Sequence, residues 1–488
     1  MLANDTLNGA TITGSDGTGS QGGTIALNQD GSFTYTPALD FVGAETFTYT
    51  LGNSAGESAA TVTLTSTGLG RFVDNTAPAG GTGTQDSPFD NLADALNVAG
   101  PGDTIFVAFG DGNNLAPTGF TLPQGVNLVG EGTGLILAQT IVPQGQAPVI
   151  GGPIVCEGDN LIQGFVIDGS TSELIQISNV DNLTVCENTL SGPTNNHIAC
   201  QTVSGDVAVT NNRFDNPPSN GSEYIYIENT NTNAAVNVSS NTFFNLSNEN
   251  VSSLCEIYAE GTSALDITFN DNVANGTEAD QFEYGLYFEN RGTGLCNLTV
   301  SGNELSNFYF YPIGLFAFPG PIAGTVSGNT IRDVYGFGIW LYPGGGVLSV
   351  SDNVVANTVS SGIVAEFDGP ADGTLIVENN NISASGSRAL DVGELHSGTN
   401  NKVAIRNNTF SDSGSESVEV EHDNNETFCL DITGNTFNDD LVLENDGSGT
   451  FNVERGTKAE LEAANNFNSG EAQLIDITPV AAGACTIP

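Results

Sequence analysis

Positive charge is what this chain has least of. Its 488 residues include 9 Lys plus Arg against 57 Asp plus Glu, a formal net charge of -48. So acidic a surface repels phosphate backbones and anionic headgroups, which excludes nucleic acid and membrane surfaces as partners. It attracts divalent cations, and Ca²⁺ is the expected cofactor. Long apolar runs are missing too: no stretch of about 18 apolar residues occurs, so no membrane insertion is expected. No C-x-x-C spacing occurs among the seven cysteines, which argues against a zinc site. Their odd number leaves at least one unpaired within a monomer. Cys156 and Cys186 share a Val-Cys-Glu context and are candidates to stack in adjacent coils, although buried apolar thiols are the plainer reading. Met1-Leu-Ala-Asn-Asp5 has neither the basic charge nor the apolar length of a signal peptide. For a protein expected outside the cytoplasm, that opening reads as a mature or cut piece of a longer chain.

What is present is regular. Only 14% of residues are charged, 38% are hydrophobic and 61 are glycine. The apolar residues recur on one template, apolar-x-apolar-x-x-Asn-x-apolar. Leu183, Val185, Asn188 and Leu190 fit it, as do Val207, Val209, Asn212 and Phe214. The template returns with Asn241, Asn270, Asn303, Asn329, Asn353, Asn380, Asn408 and Asn435, at spacings of 24 to 33 residues. Repeats of this period mean a solenoid. Period-2 alternation and β-branched residues make it a solenoid of strands rather than helices. Asn suits the corner because it tolerates left-handed backbone and can hydrogen-bond the coils above and below.

A second strand follows each Asn, usually 10 residues on. Ile225-Tyr-Ile-Glu228, Ile257-Tyr-Ala-Glu260, Leu286-Tyr-Phe-Glu289, Leu315-Phe-Ala-Phe318 and Ile339-Trp-Leu-Tyr342 align, and the series continues to Val418-Glu-Val-Glu421. With the first and third positions inward, the second and fourth face out. The second column then stacks Tyr226, Tyr258, Tyr287, Phe316 and Trp340 at about 4.8 Å per coil, a ridge on which sugar rings or a protein partner could stack. Tyr342 joins it from the fourth column. The same column stacks Glu228, Glu260 and Glu289, whose repulsion Ca²⁺ would relieve. A proton shared among them, or plain exposure to water, is the alternative; loops after Asn212, Asn241 and Asn270 are placed to cover the ridge. A second acidic group comprises Asp368, Asp391, Glu394, Glu419 and Glu421 with His396 and His422, readable as metal ligands or as a solvated face.

Ahead of the repeats, residues 1–66 read as short strands. Asp30-Gly-Ser-Phe-Thr-Tyr-Thr-Pro37, Phe47-Thr-Tyr-Thr50 and Ala60-Thr-Val-Thr-Leu-Thr65 resemble the cadherin-like, immunoglobulin-like repeats of bacterial surface proteins, with the first strand of that module missing at the front. Residues 67–86 read as a Gly/Thr/Pro-rich linker. Ser87 suits an N-cap and Pro88 the first turn of an amphipathic helix over 87–97, which would plug the apolar end of the first coil. This segment and Ala99-Gly-Pro-Gly-Asp-Thr-Ile-Phe-Val107 resemble the N-terminal cap of extracellular β-helix proteins related to pectate lyases.

The expected fold is therefore all-β: a right-handed parallel β-helix over 87–488 behind a small, partial β-sandwich module. No set matches the Arg base and Ca²⁺-binding Asp residues of pectate-lyase relatives, and no Ser/His/Asp or phosphate-cradling motif stands out. The main expectation is an extracellular or cell-surface protein with a structural or adhesive role, whose partners are other copies of the chain, assembling a filament or matrix. The alternative is a polysaccharide-binding or polysaccharide-cleaving protein, a lyase or glycoside hydrolase, for which the aromatic ridge beside acids would be the site.

Overall fold

The structure is a computed structural model. It describes the chain apart from residues 3–4, 37–42, 67–68, 138–139, 180, 219–221, 231–232, 245–252, 263, 277–281, 368–370 and 395–399. Two compact units emerge: Met1–Gly112 with Pro123–Pro148, and Asn113–Leu122 with Val149–Pro488.

In the first unit, strands Thr11–Ser15, Gly43–Asn53 and Gly56–Ser66 form an antiparallel sheet, and Thr24–Leu27 pairs with Phe33–Thr36 as a hairpin. The expected turn is there: Gly31 has φ +82°, and Asp30 accepts from the Ser32 backbone at 2.9 Å. Phe47 and Tyr49 are buried. So is Glu45, which accepts from the Gln21 and Gly23 amides at 2.8 and 2.9 Å. Gly70–Val73, inside the stretch read as a linker, is a strand parallel to Thr104–Val107, which in turn pairs with Asn127–Gly130. The helix runs Leu92–Val98 and starts later than expected. Asn91 is its N-cap, because its side chain accepts from the Asp94 amide at 2.9 Å; the Ser87 carbonyl is instead taken up by the Thr82 and Gly83 amides.

The second unit is the β-helix. Three ladders of parallel strands run along it, one of them with thirteen strands from Asn160–Gln163 to Thr478–Val480. A second starts at Val149–Ile150 and carries the short strands directly after each Asn, and a third, containing Phe120–Leu122, carries the strands aligned about ten residues on, Ile225–Thr230 and Cys255–Glu260 among them. One 14-residue strand, Glu304–Ala317, serves the second and third ladders together. Apolar side chains fill the interior, where Phe214 stacks on Phe243 at 4.8 Å and Phe437 lies 4.8 Å from Phe467.

The asparagines form one buried ladder with two differences from expectation. Its members are Asn188, Asn212, Asn241, Asn272, Asn303, Asn329, Asn353, Asn380, Asn408, Asn435 and Asn465. Asn272, not Asn270, is the rung in that coil; Asn270 accepts from the Ser301 amide beside it. The left-handed backbone is not at the asparagine but one residue earlier, at Asn211, Asp271, Gly302 or Asp352 for example. That turn leaves the Asn amide group free to cross to its neighbours. Asn303, typically, accepts from the Asn272 amide at 2.9 Å and donates to Phe269 O and Asn329 Oδ1, both at 2.8 Å.

The C-terminal tail is tied to three neighbouring strands of the first ladder, Lys402–Arg406, Thr427–Thr433 and Thr450–Glu454. Cys485 forms a disulfide with Cys429, the buried Glu454 accepts from the Gly483 and Cys485 amides, and Arg406 donates to the Pro488 carbonyl. Of the other cysteines, Cys156, Cys200, Cys255 and Cys296 are buried free thiols, with the Cys156 thiol pushed up to about 12 by burial. Cys156 and Cys186 do not stack: Cys156 faces Ile177 on the third ladder and Cys186 faces Thr210 on the first.

Candidate functional site

The third ladder exposes two rows of side chains, and their register differs from the sequence alignment. One row runs Tyr226–Glu256–Tyr287–Gly314–Trp340 and the other Glu228–Tyr258–Glu289–Phe316–Tyr342. Two coils therefore enter two residues earlier than expected, as Cys255-Glu-Ile-Tyr258 and Ile313-Gly-Leu-Phe316. Cys255 and Ile313 are as apolar as the residues chosen in their place. A two-residue slip keeps every inward position inward, so alternation cannot tell the two registers apart.

The consequence is an alternation of rings and acids in place of two pure columns. The six aromatic residues expected to form a ridge still touch, but along a zigzag between rows. Ring centroids are 5.7 Å apart for Tyr226–Tyr258, 5.8 Å for Tyr258–Tyr287, 5.1 Å for Tyr287–Phe316, 5.8 Å for Phe316–Trp340 and 5.3 Å for Phe316–Tyr342. Phe316 is buried at 5% exposure and the other five are half-buried, so the ridge is a shallow strip. Gly314 is part of it. A Cβ there would lie 2.5 Å from Tyr311 Cε2 and 2.8 Å from Phe316 Cε2, so only glycine lets those rings close over the strand. The loops proposed to cover the strip include 219–221, 245–252 and 277–281, which lie outside the described residues.

Sequence alignment missed the outer part of this surface. Tyr309, Phe310 and Tyr335 are 45%, 38% and 54% exposed. Tyr309 stacks on Tyr335 at 5.0 Å, Phe310 on Tyr284 at 5.1 Å, and Tyr284 meets Tyr287 at 6.0 Å. The signal was the run Phe308-Tyr-Phe-Tyr311, which sits at the corner between two ladders, outside the four-residue frame.

The three stacked carboxylates are not stacked. Tyr258 separates Glu228 from Glu289, and Glu260 pairs with Thr230 one step away. Arg291 pairs with Glu289 at 3.0 Å and Glu260 at 3.5 Å, so a cation of the chain already compensates two of the three carboxylates expected to share Ca²⁺. Burial works against the Arg291 charge, but the hydrogen bond and proximity of Glu289 outweigh it and raise its pKa. Each tyrosine hydroxyl donates to a carboxylate on the same strand: Tyr226 to Glu228 at 3.2 Å, Tyr258 to Glu256 at 2.8 Å and Tyr287 to Glu289 at 3.2 Å. Burial, then the adjacent carboxylate, pushes the Tyr226 phenol up to about 12. Glu256 was not singled out in the sequence. Burial, and then the charge of Glu223, lifts its carboxyl above the ordinary range.

The second acidic group divides. Arg388 joins Asp391 at 2.9 Å, Glu416 at 3.5 Å and Glu419. Glu421, Asp423 and Asp446 each bring a carboxylate oxygen within 4.8 Å of the others. His422 is not available as a ligand: it is fully buried in the core beside Phe428, at 5.8 Å. Asp368, His396 and the Glu394 side chain lie outside the described residues.

With this geometry in view, residues 1–65 match the family model described as a bacterial Ig domain, and residues 225–399 match that of the right handed beta helix region. The chain joins a bacterial Ig domain to a right-handed parallel β-helix. The β-helix match spans the whole aromatic strip. No curated protein matches the sequence significantly. Solved structures with a similar chain path include a periplasmic alginate epimerase, AlgG, as a double mutant: 10% identity over 80% of this chain and 83% of that one, TM-score 0.35. The A-module of mannuronan C-5 epimerase AlgE6 from Azotobacter vinelandii shares 11% identity over 80% and 93%, TM-score 0.30. The catalytic unit of a GH87 alpha-1,3-glucanase from Streptomyces thermodiastaticus shares 13% identity over 98% and 86%, TM-score 0.32.

Proposed function

We propose that this is an extracytoplasmic polysaccharide-binding β-helix whose strip from Tyr226 to Tyr342 is the glycan platform. The observation that carries the reading is the unbroken chain of rings, 5.1–5.8 Å apart, edged by hydrogen-bonding carboxylates. Sugar rings offer apolar C–H faces to aromatics and hydroxyls to carboxylates, and such a strip supplies both along one line. An extended strip suits a polymer better than a small molecule. The bacterial Ig domain at 1–65 and the Cys429–Cys485 disulfide support a location outside the reducing cytoplasm.

Adhesion through a bound surface polymer fits the same geometry and keeps the structural reading within it. The C-terminal tail offers no free strand to another copy of the chain, because it is tied to its own β-helix by the Cys429–Cys485 disulfide and by Arg406 on the Pro488 carbonyl.

Affinity electrophoresis against a panel of soluble polysaccharides tests the proposal. Retardation by at least one polymer is expected. Tyr287→Ala and Trp340→Ala should each weaken it by about 1 kcal/mol, the worth of a stacked ring. A panel without any retardation, or retardation that both variants leave unchanged, would sink the reading.

A further inference from the structure

The strip already holds one cation of its own. The Arg291 guanidinium lies 3.8 Å from the Tyr258 ring centroid while it pairs with Glu289 and Glu260. Ring face plus carboxylate is thus a working cation seat on this surface.

The same ingredients recur beside it without a protein cation. Glu256 stands in its row between Tyr226 and Tyr287. Its oxygens accept from Tyr258 Oη at 2.8 Å and Ser253 Oγ at 2.9 Å. Glu223 and Glu283 lie close enough that Glu223 opposes the charge of both other carboxylates, after burial itself. Asn196 donates to Glu223 at 2.7 Å, a neutral partner. Among the described residues no ion pair reaches Glu223, Glu256 or Glu283.

A ligand lying on the strip would strip water from these three acids. A neutral sugar would leave their mutual repulsion uncompensated, and a uronate would add to it. An ammonium would pair with the acids and sit against ring faces, as the Arg291 guanidinium does. The overall charge of -48 draws cations to the surface and repels polyanions.

Resting on the reading of the strip as a glycan platform, the geometry points to a glycan bearing free amino groups, with one ammonium seated at Glu256 between Tyr226 and Tyr287. The sugars that follow would lie along Trp340 and Tyr342, whose ring centroids are 5.8 Å apart.

Calorimetric titration of the full chain with a glucosamine hexamer, its fully N-acetylated counterpart and a galacturonate hexamer tests this. The free amine should bind about tenfold more tightly than the N-acetylated hexamer, the range expected of a partly desolvated cation over aromatic rings. The uronate should bind most weakly. Glu256→Gln should remove most of the preference, whereas Glu57→Gln, the same change of net charge at an exposed site in the Ig domain, should keep it. Equal binding of amine and N-acetylated hexamers, tighter binding of the uronate, or equal effects of the two Glu→Gln changes would overturn the amine assignment. The platform itself would still stand if Trp340→Ala weakened the binding that remained. Binding of none of the three, with no retardation by the polysaccharide panel, would remove the platform and this inference together. The comparison of hexamers needs only the native chain, so it decides the matter even if Glu256→Gln fails to fold.

Discussion

His197 is a buried side chain that makes stability depend on acid pH. It is fully buried and stacked on Tyr224 at 4.8 Å. Burial pushes its pKa down to about 3, with the nearby Asp215 and Asn216 backbone acting the other way. The unfolded chain takes up a proton below about pH 6.5, which the folded chain refuses until near pH 3. Stability is therefore unaffected by this group above pH 6.5 and falls as pH drops through the window from 6.5 to 3. His197→Phe, which keeps the stacked ring, should remove about 2 kcal/mol of the loss between pH 7 and pH 4.5. Urea midpoints for both proteins at the two pH values would show it. Parallel losses in the two would mean that His197 is already charged, or solvated, in the folded chain.

An asparagine rung belongs to its whole element, because each amide serves two neighbouring coils. Asn272 accepts from the Asn241 backbone at 3.1 Å and donates to Val238 O at 2.9 Å and Asn303 Oδ1 at 3.1 Å, with no exposure. Asn272→Ala leaves a buried backbone N–H without its partner and should cost about 3 kcal/mol. Asn270→Ala, outside the ladder and half-buried, should cost about 1 kcal/mol. Calorimetric melting of the pair would reverse that order if Asn270 were the rung. The terminal coils depend instead on the disulfide between Cys429 and Cys485, which closes a 56-residue separation. Cys485→Ser should lose about 3 kcal/mol, and in a solenoid the loss should concentrate at that end. Hydrogen exchange should rise first over Thr427–Thr433 and Thr450–Glu454. Uniform exchange along the β-helix would contradict this.

At the scale of the whole molecule, charge dominates. The chain carries 57 acids, and several of its 9 Lys and Arg side chains are already paired with acids, Arg388 with three of them. Self-repulsion that salt can screen should therefore limit stability. The melting temperature should climb when sodium chloride is raised from 10 mM to 0.5 M at pH 7, a range over which the Debye length contracts from about 30 Å to under about 8 Å. A flat response would show that the acids are neutralised locally rather than repelling at a distance. The same screening should weaken an amino-glycan and leave ring stacking intact, so salt also separates the two contributions to binding.

The repeat, the strand period, the hairpin at Asp30-Gly31 and the aromatic content of the strip could all be read from residue order, because each depends on neighbours along the chain. Alternation says which side chains point inward, and turn chemistry says where the backbone reverses. Which coil residue faces which was decided only by tertiary structure. Inward alternation has a period of two, so Cys255 and Ile257, or Ile313 and Leu315, satisfy it equally. Packing between coils chose the earlier residue in both cases. That choice moved Glu256 between two tyrosines, separated Glu228 from Glu289, and turned two expected columns into one mixed strip. Two other differences were legible locally: Ile267, Phe269, Asn272 and Ala274 complete the template that Asn270 leaves broken, and His422 continues the inward alternation of Val418 and Val420. The meeting of Cys429 with Cys485 was not, because it is a contact across coils, and the chain's local pattern carries no information about the distance between coils.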